Sequence, residues 1–183
     1  MSKPSVGRAL AIAGPTIILL LGALFVASYL IVAVLGLPPS ILPPLGVRIL
    51  GGVVVIGGLA VAGWVFVFRT PGSMIVSTYI TFTKLFTRAP ASEFLGRTEP
   101  LVVVGPQRYV RHPLYLGVIV MTFGWALFGG ATFVLAGAVG LVLWFWLVLI
   151  PFEEKELRAL FGEQYRLYME EVPMLIPFTK RKR

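Results

Sequence analysis

A chain of 183 residues with 57% hydrophobic and 13% charged residues is far from a soluble domain, whose apolar share is about 45–50%. Together with a mean hydropathy of +0.90, this marks an integral membrane protein of one domain. The net charge of +8 is that of a chain gathering basic residues on its cytoplasmic side, not of a nucleic-acid binder; zero cysteines and one histidine exclude a disulfide framework, a thiol nucleophile and a cysteine-ligated metal centre.

Lys3 and Arg8 precede the first apolar run. That run is too long for a signal peptide, whose core is roughly 7–15 residues, so a retained helix is expected. Residues 9–37 carry no charge and suffice to span, with Pro15 placed to kink them. Pro38, Pro39, Pro43 and Pro44 forbid regular helix in the loop that follows. Residues 47–68 form a second span, with Gly51, Gly52, Gly57, Gly58 and Gly63 suited to close helix packing. In residues 74–87, Ile75, Tyr79, Phe82 and Phe86 fall at helical spacing, with Ser77, Thr81 and Lys84 between them. This stretch is too short to span and reads as an interfacial or re-entrant helix, though its β-branched residues keep a strand open.

Ala89 to Pro100 reads as irregular, and Gly105-Pro106 breaks the brief apolar run 101–104. Residues 114–128 are the third span, Gly129-Gly130 a turn, and residues 131–150 the fourth span. A polar helix from Glu153 to Glu171 follows, with an apolar stripe of Leu157, Leu160, Phe161 and Tyr168. Glu154 and Arg158 are spaced for an i,i+4 pair, Gly162 for a bend, and Lys180 to Arg183 for a basic anchor. Four spans put both termini, residues 69–111 and the C-terminal helix on one side, which the basic residues identify as cytoplasmic. The expected class is therefore an all-α membrane protein of about four spans, with an interfacial helix and a C-terminal amphipathic helix.

The chemistry centres on Arg111-His112-Pro113-Leu114-Tyr115-Leu116-Gly117. Pro113 suits a first helical turn, where its missing N–H costs nothing. Taken alone, Arg, His and Tyr at that place are ordinary interface anchors. The short turn between the third and fourth spans makes them antiparallel neighbours. His112 and Tyr115 should then lie beside Glu153 and Glu154. Two adjacent carboxylates repel each other and resist desolvation, a cost that a cationic ligand would relieve.

GPQRYVRHPLYLG, followed after two apolar stretches by EEKELRALFGEQYRLYMEEVPMLIPF, resembles the signature of membrane methyltransferases of the isoprenylcysteine carboxyl methyltransferase and phospholipid methyltransferase type. That signature is roughly GPYRYVRHPxYxG, a pair of membrane segments, EE, then FGxxYxxYxxxVPRxIP. The likeness covers Gly105 to Pro177; the N-terminal half matches only as hydrophobic spans. It implies S-adenosylmethionine as methyl donor, held between the last spans and the C-terminal helix. The implied contacts are Gln107, Tyr109, Val110, Arg111, His112, Leu114, Tyr115 and Gly117, the acidic pair Glu153 and Glu154, and Tyr165 and Tyr168. Arg111 is equally open to a lipid phosphate. The implied reaction is direct displacement at the sulfonium methyl, driven by alignment and desolvation. His112 or Glu153 would serve as base for a protonated acceptor.

Three positions depart from that signature, the last of them bearing on the acceptor. Gln107 replaces an aromatic residue, Met174 a basic one, and Val148-Leu149-Ile150 lacks the arginine of the isoprenylcysteine branch. The acceptor is expected to be lipophilic and to arrive sideways from the bilayer: a prenylcysteine carboxylate, a phospholipid amine or another lipid. Two other classes are compatible with the same residues. One is an NADPH-dependent membrane reductase of the sterol reductase type, which shares an RHPxYxG element. The other is a non-enzymatic membrane protein that keeps the fold. Oligomeric state is not readable.

Overall fold

The computed structural model describes residues 4–89 and 100–179. The irregular connection expected between Ala89 and Pro100, the basic tail 180–183 and Lys3 lie outside them. The described chain is helical: α1 (Val6–Val34), α2 (Leu45–Phe68), α3 (Pro71–Thr87), a 3₁₀ turn (Gly105–Arg108), α4 (Pro113–Gly129), α5 (Thr132–Trp144) and α6 (Ile150–Glu171). No strand forms among the described residues; one isolated bridge joins Ser40 to Ala131. The proline-rich loop is thereby tied to the α4–α5 turn, with Ile41 N–H donating to Gly130 O and Thr132 N–H to Pro39 O.

Among the described residues three helices are long and apolar enough to cross a bilayer: α1, α2 and the helical run Thr132–Glu171, which is broken by a bend at Gly162. α4, at 17 residues, is about 25 Å long, somewhat short of a hydrocarbon core of about 30 Å. α2 and α4 pack on glycine. A Cβ on Gly58 would lie 2.6 Å from Met121 N and 2.7 Å from Gly117 O. A Cβ on Gly51 would lie 2.8 Å from Gly124 O, and the reverse pairs are as tight. Two glycine pairs, Gly51/Gly124 and Gly58/Gly117, thus bring the two backbones together at a separation no side chain allows. α1 packs against α3 through Ala9, Val76 and Ile80 and against α5 through Phe25 on Gly137 and Tyr29 on Phe133.

α3 decides between the helix and the strand left open for residues 74–87. Thr70 caps it by accepting from Ser73 N–H, and Pro71 occupies its first turn. The strand alternative is excluded. Its buried face, however, is Met74, Val76, Ser77, Ile80, Thr81 and Lys84, while Phe86 is exposed. The polar residues expected between the apolar ones point inward, because a carboxylate of α6 receives Thr81 and Lys84.

α5 passes into α6 without a break. The junction is a π turn, Phe145–Leu149, in which Ile150 N–H donates to Phe145 O. Pro151 supplies the reason. In a regular α-helix its ring would press on the carbonyl of Leu147, and a widened turn makes room. The bend expected at Gly162 is present, with φ 51 and ψ −123, a backbone state open to glycine. Residues 158 and 169 would be about 16 Å apart along a straight helix, yet Arg158 Nε lies 3.3 Å from Met169 Sδ. The chain therefore folds back after Gly162 and lays Tyr165 and Tyr168 over the start of α4.

Candidate functional site

Arg111, His112, Glu153 and Glu154 gather where α4 begins and α5 becomes α6. His112 is the N-cap residue of α4, and Pro113 holds the first helical position. The segment before it is strapped to the chain end: Arg111 N–H donates to Pro173 O at 2.9 Å and His112 N–H to Met174 O at 3.2 Å. Gly105 opens the preceding turn at φ 63, with the Phe68 ring 2.4 Å from where its Cβ would sit. These constraints, not the motif alone, fix the direction in which His112 and Tyr115 point.

The two carboxylates divide their work. Glu153 Oε2 accepts from the Tyr115 hydroxyl at 2.8 Å and lies 3.7 Å from His112 Nδ1. Glu154 Oε1 meets Arg111 Nη2 at 2.8 Å and His112 Nε2 at 3.4 Å, and its Oε2 meets Arg158 at 3.5 Å. The expected i,i+4 pair is thus one part of a larger cage. The repulsion expected within the acidic pair is relieved by the protein's own Arg111, Arg158 and His112. Glu154 lies beyond the apolar stretch that closes at Ile150. Burial raises its pKa, but the His112 hydrogen bond and the arginine charges outweigh burial and hold it below the usual carboxylate range. Glu154 is therefore an anion spent on structure.

Glu153 instead lines a cleft of about 870 Å³, mouth included. The cleft is bounded by Gln107 and residues 111–115 on one side, by Leu157, Phe161, Tyr165 and Tyr168 on another, and by Met74, Ser77 and Thr78 of α3 on a third. Three of its lining residues carry buried polar atoms with no hydrogen-bond partner among the described residues: Gln107 Oε1, Arg111 Nε and Tyr165 OH. Such atoms are costly unless something fills the space beside them. Tyr168 is engaged, donating to Gln107 O at 2.7 Å. Burial raises the pKa of both tyrosines, Tyr168 to about 12, so they stand as neutral phenols.

Beside the cleft lies a second, apolar chamber of about 1110 Å³, its open mouth included, among α1, α3, α4, α5 and the π turn. Thr78, Leu114 and Tyr115 line both spaces. The Tyr115 ring is layered between His112, at 5.5 Å and 12°, and Phe145 of the π turn, at 4.7 Å and 29°. It is the partition between a polar cleft and an apolar chamber.

Of the residues named from sequence, Gln107, Arg111, His112, Leu114, Tyr115, Glu153, Tyr165 and Tyr168 line the cleft. Four stand elsewhere. Glu154 is behind it, in the cage. Gly117 faces α2, where its Cβ would meet Gly58 O at 2.9 Å. Val110 is buried behind the motif, and Tyr109 lies half-exposed between Trp64 and Phe178. Sequence reasoning did not find the α3 wall, Arg69 in the lining, or the Lys84–Glu156 pair. The nearest signal was a lone lysine on an otherwise uncharged helix.

Residues 59–164 match the family model described as phospholipid methyltransferase. The chain is similar to methanethiol S-methyltransferase of Crocosphaera subtropica, 34% identical over 149 residues, covering 76% of this chain and 54% of that protein. It is similar to methanethiol S-methyltransferase of Mycobacterium tuberculosis, 39% identical over 97 residues, covering 46% and 36% of the two chains. It also resembles protein-S-isoprenylcysteine O-methyltransferase of Schizosaccharomyces pombe, 40% identical over 78 residues, covering 42% and 33%. The alignments thus span about half or less of these relatives' length. No solved structure matches the chain. With more than half of its length inside the family model, the chain belongs to the phospholipid methyltransferase family.

Proposed function

We propose that this protein is an integral membrane methyltransferase that binds S-adenosylmethionine in the polar cleft and methylates a lipophilic acceptor held in the apolar chamber. The observation that carries the reading is the shared wall: Tyr115, Leu114 and Thr78 border both spaces, so a charged donor and an apolar acceptor meet at one partition. The residues present suit the donor. Glu153 offers a carboxylate to an ammonium or sulfonium, and Arg111, whose Nη atoms are held by Glu154 and Met169 O, keeps an unpartnered Nε–H as a donor. Gln107 Oε1 and Tyr165 OH are buried polar atoms in need of partners.

When bound, S-adenosylmethionine supplies an activated methyl group. The protein's own part is alignment and exclusion of water. Stacking between His112 and Phe145 fixes the Tyr115 ring, and its hydroxyl fixes Glu153. The apolar chamber keeps the acceptor dry, where positioned charges act more strongly than in water. His112 and Glu153, 3.7 Å apart, are placed to take a proton from an acceptor that arrives protonated. Among the described residues the chamber lining contains no charged one. That favours a neutral acceptor, such as a lipophilic thiol, over a carboxylate, in keeping with the uncharged Val148-Leu149-Ile150. We place the cleft and both termini on the cytoplasmic face, in line with the positive-inside rule.

Titration of the detergent-purified protein with S-adenosylmethionine and with NADPH tests the cofactor. Saturable binding of the first and not the second is expected; the reverse overturns the reading. Transfer of labelled methyl groups into membrane lipid extracts and simple thiols then identifies the acceptor.

A further inference from the structure

We propose that Lys84, Thr81 and Glu156 form a positioning clamp that sets the width of the cofactor cleft from outside it; the proposal rests on the functional reading above. Glu156 is fully buried, and both of its oxygens are engaged by α3. Lys84 Nζ lies 2.8 Å from Oε1, and Thr81 donates to Oε2 at 2.8 Å. Lys84 is 2% exposed. None of the three lines the cleft.

Their place in the helices gives the pair its consequence. On α3, Ser77 and Thr78 sit one turn before Thr81 and line the cleft. On α6, Glu153 sits one turn before Glu156, and Leu157 directly after it; both line the cleft. The clamp is therefore one turn from the cleft on each of two facing walls. A displacement at Glu156 is carried rigidly to Glu153, whose partner Tyr115 belongs to a third helix.

Energetics favour position over stability as the role of this pair. A buried ion pair is costly to desolvate, and well-packed apolar substitutes are often as stable or more so. What apolar substitutes lack is direction: the Thr81 hydrogen bond orients the carboxylate, and the Lys84 ion pair at the other oxygen sets the separation. Lys84 also lies in the last turn of α3, where a cation is favoured by the helix dipole.

The test uses the absence of native cysteine. Spin labels at Phe86→Cys and Lys155→Cys, both exposed positions, report the α3–α6 separation without any cofactor. The double variant Lys84→Met/Glu156→Leu is expected to melt near the parent, to broaden or shift the label distance, and to bind S-adenosylmethionine about tenfold more weakly, a loss worth about 1.4 kcal/mol. Lys84→Gln/Glu156→Gln removes both charges, keeps the Thr81 acceptor and leaves two polar groups able to hydrogen-bond, and is expected to restore most of both. Should the apolar pair fail to fold, Thr81→Val removes one contact and is expected to shift both readouts less, in the same direction. Parental distance and parental affinity in the folded variants would reduce the pair to a structural contact, and lost affinity at an unchanged distance would equally overturn the clamp. A parent that does not bind S-adenosylmethionine counts against the functional reading, while the label distance still decides whether the pair sets the separation.

Discussion

The Tyr115 hydroxyl donates to Glu153 Oε2 across 2.8 Å, joining the first turn of α4 to the first turn of α6. The bond leaves Glu153 in the cleft while holding it at a defined angle. Tyr115→Phe keeps the stacked ring and removes only this restraint. A hydrogen bond to a charged group is worth about 1.5–3 kcal/mol, so S-adenosylmethionine affinity should fall roughly tenfold to a hundredfold. Calorimetric binding with a melting curve as control checks this. A variant with parental affinity would show that the hydroxyl is dispensable.

The acidic pair should separate under substitution. Glu153→Gln removes charge from the cleft and is expected to weaken cofactor binding at least tenfold, again about 1.4 kcal/mol, with the melting temperature kept. Glu154→Gln breaks a buried ion pair with Arg111 and a weaker one with the exposed Arg158. Losing one partner of a buried pair costs about 3–5 kcal/mol, so this variant should melt well below the parent. If the two variants behave alike in both measurements, the division of labour between the carboxylates is wrong.

Glycine on α2 gives an internal comparison. Gly58→Ala drives a Cβ to 2.6 Å from the α4 backbone and should destabilise by about 1–3 kcal/mol through overpacking. The adjacent Gly57 has nothing within 4 Å of a Cβ, and Gly57→Ala should be neutral or gain up to about 1 kcal/mol from helix propensity. Thermal unfolding in detergent measures both, and equal effects would contradict the glycine packing.

Topology is testable at Ser40. It is exposed and bridged to the α4–α5 turn, at the other end of α4 from the cleft. Ser40→Cys should react with an impermeant thiol reagent only from the non-cytoplasmic side. Labelling from the cytoplasm alone would invert the orientation.

Hydropathy and proline carried much of the fold from sequence, because each acts within its own segment. The apolar runs became α1, α2, α4 and α5, and Pro38 to Pro44 stayed a loop. The meeting of His112 with Glu153 followed from a turn too short to separate two helices. What stayed hidden depends on pairs distant in sequence. The inward face of α3 was not read from sequence, because burial of Lys84 and Thr81 is made favourable by Glu156 on a distant helix. The strap between residues 111–112 and 173–174 is backbone pairing and leaves no residue signature. Gly162 announced a bend, but not that the chain would return over the motif.

A single aromatic ring that walls two binding spaces binds their equilibria together. Whatever factor occupancy of the apolar chamber exerts on donor affinity, donor occupancy must exert on the acceptor, because linkage is reciprocal in free energy. With Tyr115 pinned by Glu153 on one side and Phe145 on the other, each ligand meets a partition that the other has already ordered. On the proposed reading, a substitution of this ring should therefore be assayed for both ligands, since any coupling it changes is changed for both equally.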